Sequence, residues 1–187
     1  MIFLNKFIHK KNIRFPMFLE ALTISKDRGH KVIVETGTSR GIKKLFIINT
    51  YNWKDGMSTP ILATFAQNIN AEFHSCDISS KNINNAISFT KKINPNIKFY
   101  IQDSINFLKF FPKKIDFLYL DSLDGHNKKL ASEHQLFEAK SALDKLNNKS
   151  LILLDDKGLK TNLSLDFFNK NNFKILYQTD FQILLSK

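Results

Sequence analysis

Five times along the chain a strand-sized run, apolar in most cases, ends at or just before a carboxylate. Val32-Ile33-Val34 runs into Glu35, Ala71 to Cys76 into Asp77, and Ile97 to Ile101 stops shortly before Asp103. Ile115 to Leu120 meets Asp121, and Ser150 to Leu154 meets the pair Asp155-Asp156. Each run has the length of a strand, and amphipathic segments separate them. Strands alternating with helices imply an α/β fold with a doubly wound, mostly parallel sheet. Ligands of such a sheet sit beyond the carboxyl ends of the strands, so all five acidic ends fall on one edge. Core packing does not ask for acids there, and a bare cluster would repel itself. Ligand donors or a cation have to offset the charge.

The first run carries the most detail. Lys31 to Gly41 reads KVIVETGTSRG: a buried strand, an acid, and a short loop with Gly37 and Gly41 four apart. Small residues in such a loop let backbone N–H groups approach a bound molecule, and the strand-end carboxylate can accept hydrogen bonds. A phosphate-binding loop would carry a lysine, and G-x-G-x-x-G a third glycine; neither is present.

E-T-G-T-S-R-G resembles motif I of the class I S-adenosylmethionine-dependent methyltransferases. It is most similar to the E-x-G-T-x-x-G form of the metal-dependent O-methyltransferases that act on catechol and caffeoyl-CoA, with Ser39 where many other members have a middle glycine. The resemblance extends over about residues 30–187. It implies a seven-stranded Rossmann-like sheet closed by a C-terminal antiparallel hairpin, here Phe173–Gln178 and Phe181–Leu185. It also implies S-adenosylmethionine as cofactor. The contacts implied are Glu35, Gly37, Thr38, Ser39 and Gly41 in the loop, Asp77 and Ile78 after the second strand, Asp103 and Ser104 after the third, and Asp121. A carboxylate at Asp77 suits both ribose hydroxyls, because it accepts two hydrogen bonds and has no donor to satisfy.

The same resemblance implies Mg²⁺ held by Asp121, Asp155 and Asp156, hard oxygen ligands of the kind this ion takes. A hydroxyl bound to the metal would lose its proton more readily and face the methyl sulfonium. Asp121 and His126 are the catalytic candidates. In the bacterial branch of the fold that modifies sugars and antibiotic-type acceptors the fourth strand ends in D-x-D-H, whereas here it reads D-S-L-D-G-H. His126 is therefore the candidate general base, with Asp124 and His134 behind it, and the lysine base of the catechol-type enzymes has no match. His134 on its predicted helix and His74 inside its strand read first as core-edge residues.

The remaining segments are placed by local signals. Residues 1–29 form an N-terminal arm and a helix over Phe15 to Arg28, with Pro16 in the first turn and Gly29 as stop. Residues 42–58 read as an insertion and a candidate lid, with an apolar stretch at Leu45 to Ile48, a turn at Trp53 to Gly56, and Ser58 or Thr59 capping a helix over Ile61 to Ile69. Asp103 or Ser104 can cap the following helix as well as face a ligand.

Totals bound the partners. A chain of 187 residues with 43% hydrophobic and 24% charged residues fits one domain with a full core. No run could span a bilayer, and the N-terminal residues lack the apolar core of a signal peptide, so neither membrane nor export is expected. The single cysteine, Cys76, excludes an internal disulfide and suits a reducing cytoplasm. A net charge of +11 raises nucleic acid as an alternative acceptor. The lysines are scattered in short pairs, however, and Asn, Ile and Phe are abundant too, as in A/T-rich coding. No N-P-P-Y type tetrad follows the fourth strand. A small-molecule hydroxyl is the preferred acceptor, with a non-catalytic adenosyl-binding protein as a further alternative. The aromatic N-terminal arm is compatible with a homo-oligomer.

Overall fold

The computed structural model describes residues 1–45 and 48–187, with side chains outside residues 42–50. Seven strands form one sheet in the order β5-β4-β1-β6-β7-β9-β8. They are β1 (Val32–Thr36), β4 (Glu72–Asp77), β5 (Lys98–Ile101), β6 (Ile115–Leu120), β7 (Leu146–Asp155), β8 (Lys174–Gln178) and β9 (Gln182–Ser186). The first five run parallel, and β9 and β8 close the sheet antiparallel. Strand order reverses between β1 and β6, so the crevice above their carboxyl ends is where a ligand of this fold belongs.

Alternation along the strands builds two cores. Ile33, Phe73, Phe117, Tyr119, Leu151 and Leu153 face α1 (Phe15–Asp27) and α2 (Ser58–Ile69), where Phe18, Leu22, Leu62 and Phe65 are fully buried. Val34, Cys76, Leu118, Leu120, Ile152 and Leu154 face α4 (Ser104–Lys109), α5 (Lys128–Ala142) and α6 (Asn162–Lys170). Successive strand residues point to opposite faces, so a strand buried on both sides reads as one apolar run, as IDFLYL does. The helix α3 (Ser80–Thr90) packs on β4 and β5 beside α2.

The N-terminal arm is a 3-10 helix, Ile2–Phe7, that seats Leu4 and Phe7 against α2. The insertion contains an antiparallel pair, β2 (Ile42–Leu45) and β3 (Ile48–Tyr51), and a 3-10 turn at Trp53–Asp55. The apolar stretch expected at Leu45 to Ile48 includes residues 46 and 47, which lie outside the described residues. His9 stacks on Trp53 at 4.6 Å, so the arm touches the insertion.

Two local expectations need correction. The helix expected from Ile61 begins at Ser58, and its N-cap is Met57 in a left-handed conformation (φ 52°). Neither Ser58 nor Thr59 caps it, because both lie inside the first turn and the Thr59 hydroxyl is engaged elsewhere. The segment after β6, which its sequence reads as one helix over about Lys128 to Leu146, is helical only to Ala142 and is followed by one 3-10 turn. Leu146 already pairs with Ile115 across a bulge, so β7 begins before the apolar run does.

Candidate functional site

A cavity of about 400 Å³ opens above the strand ends at the switch between β1 and β6. Of the residues singled out from sequence, Gly37, Thr38, Ser39, Asp77, Ile78, Asp103, Ser104, Asp121 and Asp156 line it. The loop after β1 is shaped by Gly37. Its φ of +83° is left-handed, and a Cβ there would collide with the backbone carbonyl of Asp121. A side chain at this position is therefore excluded twice, by conformation and by space. Gly41 lies outside the lining and packs against the Phe89 ring.

Asp77, at the end of β4, anchors the loop. One oxygen accepts the Thr38 N–H at 3.1 Å and the Asn82 amide at 3.0 Å, and the other accepts the Ser79 N–H at 2.7 Å. Asp103 caps α4 by accepting the Asn106 N–H at 2.9 Å, and it lines the cavity. Ser104 meets His134 Nε2 at 3.0 Å, which brings the α5 histidine onto the cavity wall. Ser39 is nearly buried on this wall, and its hydroxyl has no partner among the described residues. A strand-end carboxylate and a glycine loop bordering this cavity at the switch point fit an adenosyl cofactor.

Glu35 does not reach the cavity. It is fully buried beneath the loop, because β1 pairs with β4 in a register that sets Glu35 beside Ser75. One carboxylate oxygen accepts the Ser75 hydroxyl at 2.6 Å and the Thr59 hydroxyl at 2.8 Å. Those two groups hold the loop in turn: the Ser75 hydroxyl meets the Thr38 hydroxyl at 2.8 Å, and the Thr59 hydroxyl accepts the Ser39 N–H at 2.8 Å. The sequence-level reading of Glu35 as a direct contact thus gives way to a brace acting through its neighbours. Burial pushes its carboxyl up to about 7, with the facing hydroxyls of Ser58, Ser75 and Thr59 pulling the other way.

The ends of β6 and β7 bring Asp121, Asp155 and Asp156 together, as expected, but with partners that sequence reasoning missed. Arg14, just before α1, donates from Nε to both Asp155 oxygens at 2.7 and 2.8 Å and from Nη2 to Asp156 at 2.7 Å. Lys160 Nζ donates to Asp121 at 2.8 Å and lies 3.2 Å from Asp156. The Tyr119 hydroxyl, hidden in the apolar run of β6, donates to Asp155 at 2.6 Å and lies 3.1 Å from Asp121. Burial works against the charge of Arg14 and Lys160, yet the carboxylates outweigh it and raise both above their ordinary values. Burial and the nearby Asp155 push the Asp121 carboxyl up, and Lys160 restrains the rise.

A magnesium site does not fit this arrangement. The three carboxylates have their oxygens committed to an arginine, a lysine and a tyrosine, and among the described residues no group of three His, Cys, Asp or Glu is disposed around a metal position. Asp155, fully buried, does not line the cavity.

His126 is exposed and stands outside the cavity lining. Asp124 does line it, held by Arg40 Nη2 at 2.7 and 2.8 Å to its two oxygens. The Arg40 N–H donates to Asp55 at 2.7 Å, so Arg40 joins the insertion to the loop after β6 across the cavity. Cys76 faces the same space, but burial pushes its thiol up to about 12, which leaves it protonated and inert. His74 is a core-edge residue, as expected, stacked near Tyr100 and edge-on to Phe111.

Comparison with known proteins agrees with this geometry. Among solved structures, the SAH-bound methyltransferase PaMTH1 of Podospora anserina superposes with a TM-score of 0.60 at 18% identity, over 89% of this chain and 76% of that one. The O-methyltransferase NovP gives 0.68 at 8% identity, over 93% and 79%. An rRNA methylase from Streptococcus thermophilus gives 0.62 at 13% identity, over 92% and 96%. At these identities the likeness shows the fold alone. No curated protein matches the sequence. Among the described residues no helix is long and apolar enough to cross a membrane. The family described as "Methyltransferase domain" matches residues 53–157, more than half of the chain, and with the motif I loop and the seven-stranded sheet this makes the chain a member of that family and a class I S-adenosylmethionine-dependent methyltransferase.

Proposed function

We propose that the chain methylates a hydroxyl of a small polar molecule. In this reading the loop Gly37–Ser39, Asp77 with Ile78, and Asp103 with Ser104 hold S-adenosylmethionine, which supplies an electrophilic methyl group when bound. Asp77 would take the ribose hydroxyls while keeping the loop N–H it already accepts. The 75% exposed Ile78 side chain would offer an apolar face to the adenine. The observation that carries the acceptor assignment is the other end of the cavity. It is walled by Arg14, Arg40, Lys54, Asp55, Asp124 and Asp156, and the Arg40–Asp124 pair spans it. Paired charges of both signs in a confined space favour a compact acceptor with several hydrogen-bonding groups. In this reading Asp124 and Asp55, which line the cavity where His126 does not, would receive the hydroxyl proton. Residues 1–187 act as one domain in this reading, with residues 42–58 as a lid over the acceptor.

The net charge of +11 and the likeness to an rRNA methylase support a second reading, methylation of RNA. Calorimetric titration of S-adenosylmethionine and S-adenosylhomocysteine tests the cofactor half. Asp77→Ala is expected to weaken both by roughly tenfold or more, about 1.4 kcal/mol, and an unchanged affinity would remove Asp77 from the site. Incubation with labelled cofactor and either hydroxylated small molecules or total RNA tests the acceptor half. Label found only in RNA would replace the first reading by the second.

A further inference from the structure

The carboxylate cluster at the ends of β6 and β7 is saturated from within. Each of its six oxygens lies within 3.2 Å of a side-chain nitrogen or hydroxyl that can donate. The Asp121 pair faces Lys160 Nζ and the Tyr119 hydroxyl, and the Asp156 pair faces Arg14 Nη2 and Lys160 Nζ. Of the Asp155 pair, one oxygen takes Arg14 Nε and the Asp156 N–H and the other takes Arg14 Nε and the Tyr119 hydroxyl. Lys160 is 1% exposed, and its ammonium also reaches the carbonyls of Ser122 at 3.1 Å and Leu123 at 3.4 Å.

The local backbone delivers this lysine. Asp156 sits at φ 55°, a left-handed position that aspartate tolerates better than most non-glycine residues. The turn it opens brings the Lys160 N–H to the Asp156 carbonyl at 3.2 Å, and the side chain folds back over the acids. Arg14 arrives from the far end of the sequence through a gap left by Gly56, where a Cβ would press on the Arg14 side chain.

We propose that Lys160, with Arg14, is a built-in cation for Asp121, Asp155 and Asp156, so that these acids work without a divalent metal and Lys160 is the residue that keeps one out. A divalent ion needs several of these oxygens free at close range, and it would have to evict a buried, fully hydrogen-bonded ammonium to reach them. Removing Lys160 frees one oxygen of Asp121 and one of Asp156 on the cavity side and leaves an unpaired, half-buried negative charge, the condition under which a metal binds. This inference concerns the acceptor side of the site proposed above and does not depend on which acceptor is used.

Mn²⁺ serves as the probe, with binding read from loss of the free-ion paramagnetic resonance signal and, separately, S-adenosylhomocysteine binding read by calorimetry. The full wild-type chain is expected to take up no Mn²⁺ below millimolar concentration. Lys160→Ala is expected to bind one ion at least roughly tenfold more tightly, and Lys160→Ala combined with Asp156→Asn to lose it. Lys160→Met, which keeps most of the side-chain volume, is the second variant, and a cooperative thermal transition verifies folding. Stoichiometric Mn²⁺ uptake by the wild type at micromolar concentration that disappears in Asp121→Asn would overturn the proposal, whether or not either lysine variant folds. So would a folded lysine variant that gains no ion. Loss of S-adenosylhomocysteine binding by the wild type would instead sink the cofactor assignment and leave the metal result standing.

Discussion

Replacing Glu35 by glutamine should remove a specific pH dependence from the stability of this protein. The Glu35 carboxyl is fully buried, and its pKa is raised from an ordinary 4.5 to about 7. Below pH 4.5 the group is protonated in both folded and unfolded chains and contributes no difference. Between pH 4.5 and 7 the unfolded chain releases the proton while the folded one keeps it, so the folded state loses ground as pH rises. Above 7 both are ionised and the loss is complete. At about 1.4 kcal/mol per pH unit, the window corresponds to a loss on the order of 3 kcal/mol. Urea unfolding of wild type and Glu35→Gln at intervals from pH 4 to pH 8 measures it. Subtracting one stability curve from the other cancels the remaining titrating groups, including Glu72, whose carboxyl Lys113 and Lys98 hold down at about 2. The wild type should fall relative to the variant through this window and run parallel to it outside. A difference that stays flat from pH 4.5 to 7 would refute the reasoning, because it would mean that Glu35 is ionised in the folded protein.

Gly37→Ala meets both a left-handed backbone and the Asp121 carbonyl, so it should destabilise by roughly 2 kcal/mol or more, read as a lower urea midpoint together with weaker S-adenosylhomocysteine binding. Arg14→Ala strands the buried Asp155 carboxylate and should cost about 3 kcal/mol in the same assay. Arg14→Lys should recover only part of this, because an ammonium cannot span Asp155 and Asp156 as the guanidinium fork does.

The acids and the glycine loop were legible in the sequence because they depend on local order. A strand-sized apolar run followed by Asp needs no tertiary knowledge to place at a sheet edge, and Asp77, Asp103 and Asp121 all stand where that pattern puts them. The orientation of each acid depends instead on register and on distant chain. Glu35 obeys the same strand-end pattern, yet its pairing beside Ser75 turns it under the loop. Arg14 lies 141 positions from Asp155, in a stretch that without the fold reads as a surface arm. Lys160 did leave a trace, four residues after Asp156, but that spacing is common on exposed turns, and only the left-handed Asp156 backbone sends the ammonium inward. Tyr119 was masked because one hydroxyl does not interrupt an apolar run.

The antiparallel closure of the sheet bears on the order in which the site can be built. β9 comes after every other strand in the chain, yet it occupies an interior place between β7 and β8. Until residues 182–186 have left the ribosome, β7 is paired on the β6 side only, and its other edge, including the backbone of Asp155, is an open template. The glycine loop, Asp77 and Asp103 belong to the half of the sheet synthesised first. The carboxylate cluster waits for the last strand to lock the one that carries it, so the side of the cavity built by the glycine loop, Asp77 and Asp103 can exist on a nascent chain before the side built by Asp121 and Asp156 is fixed.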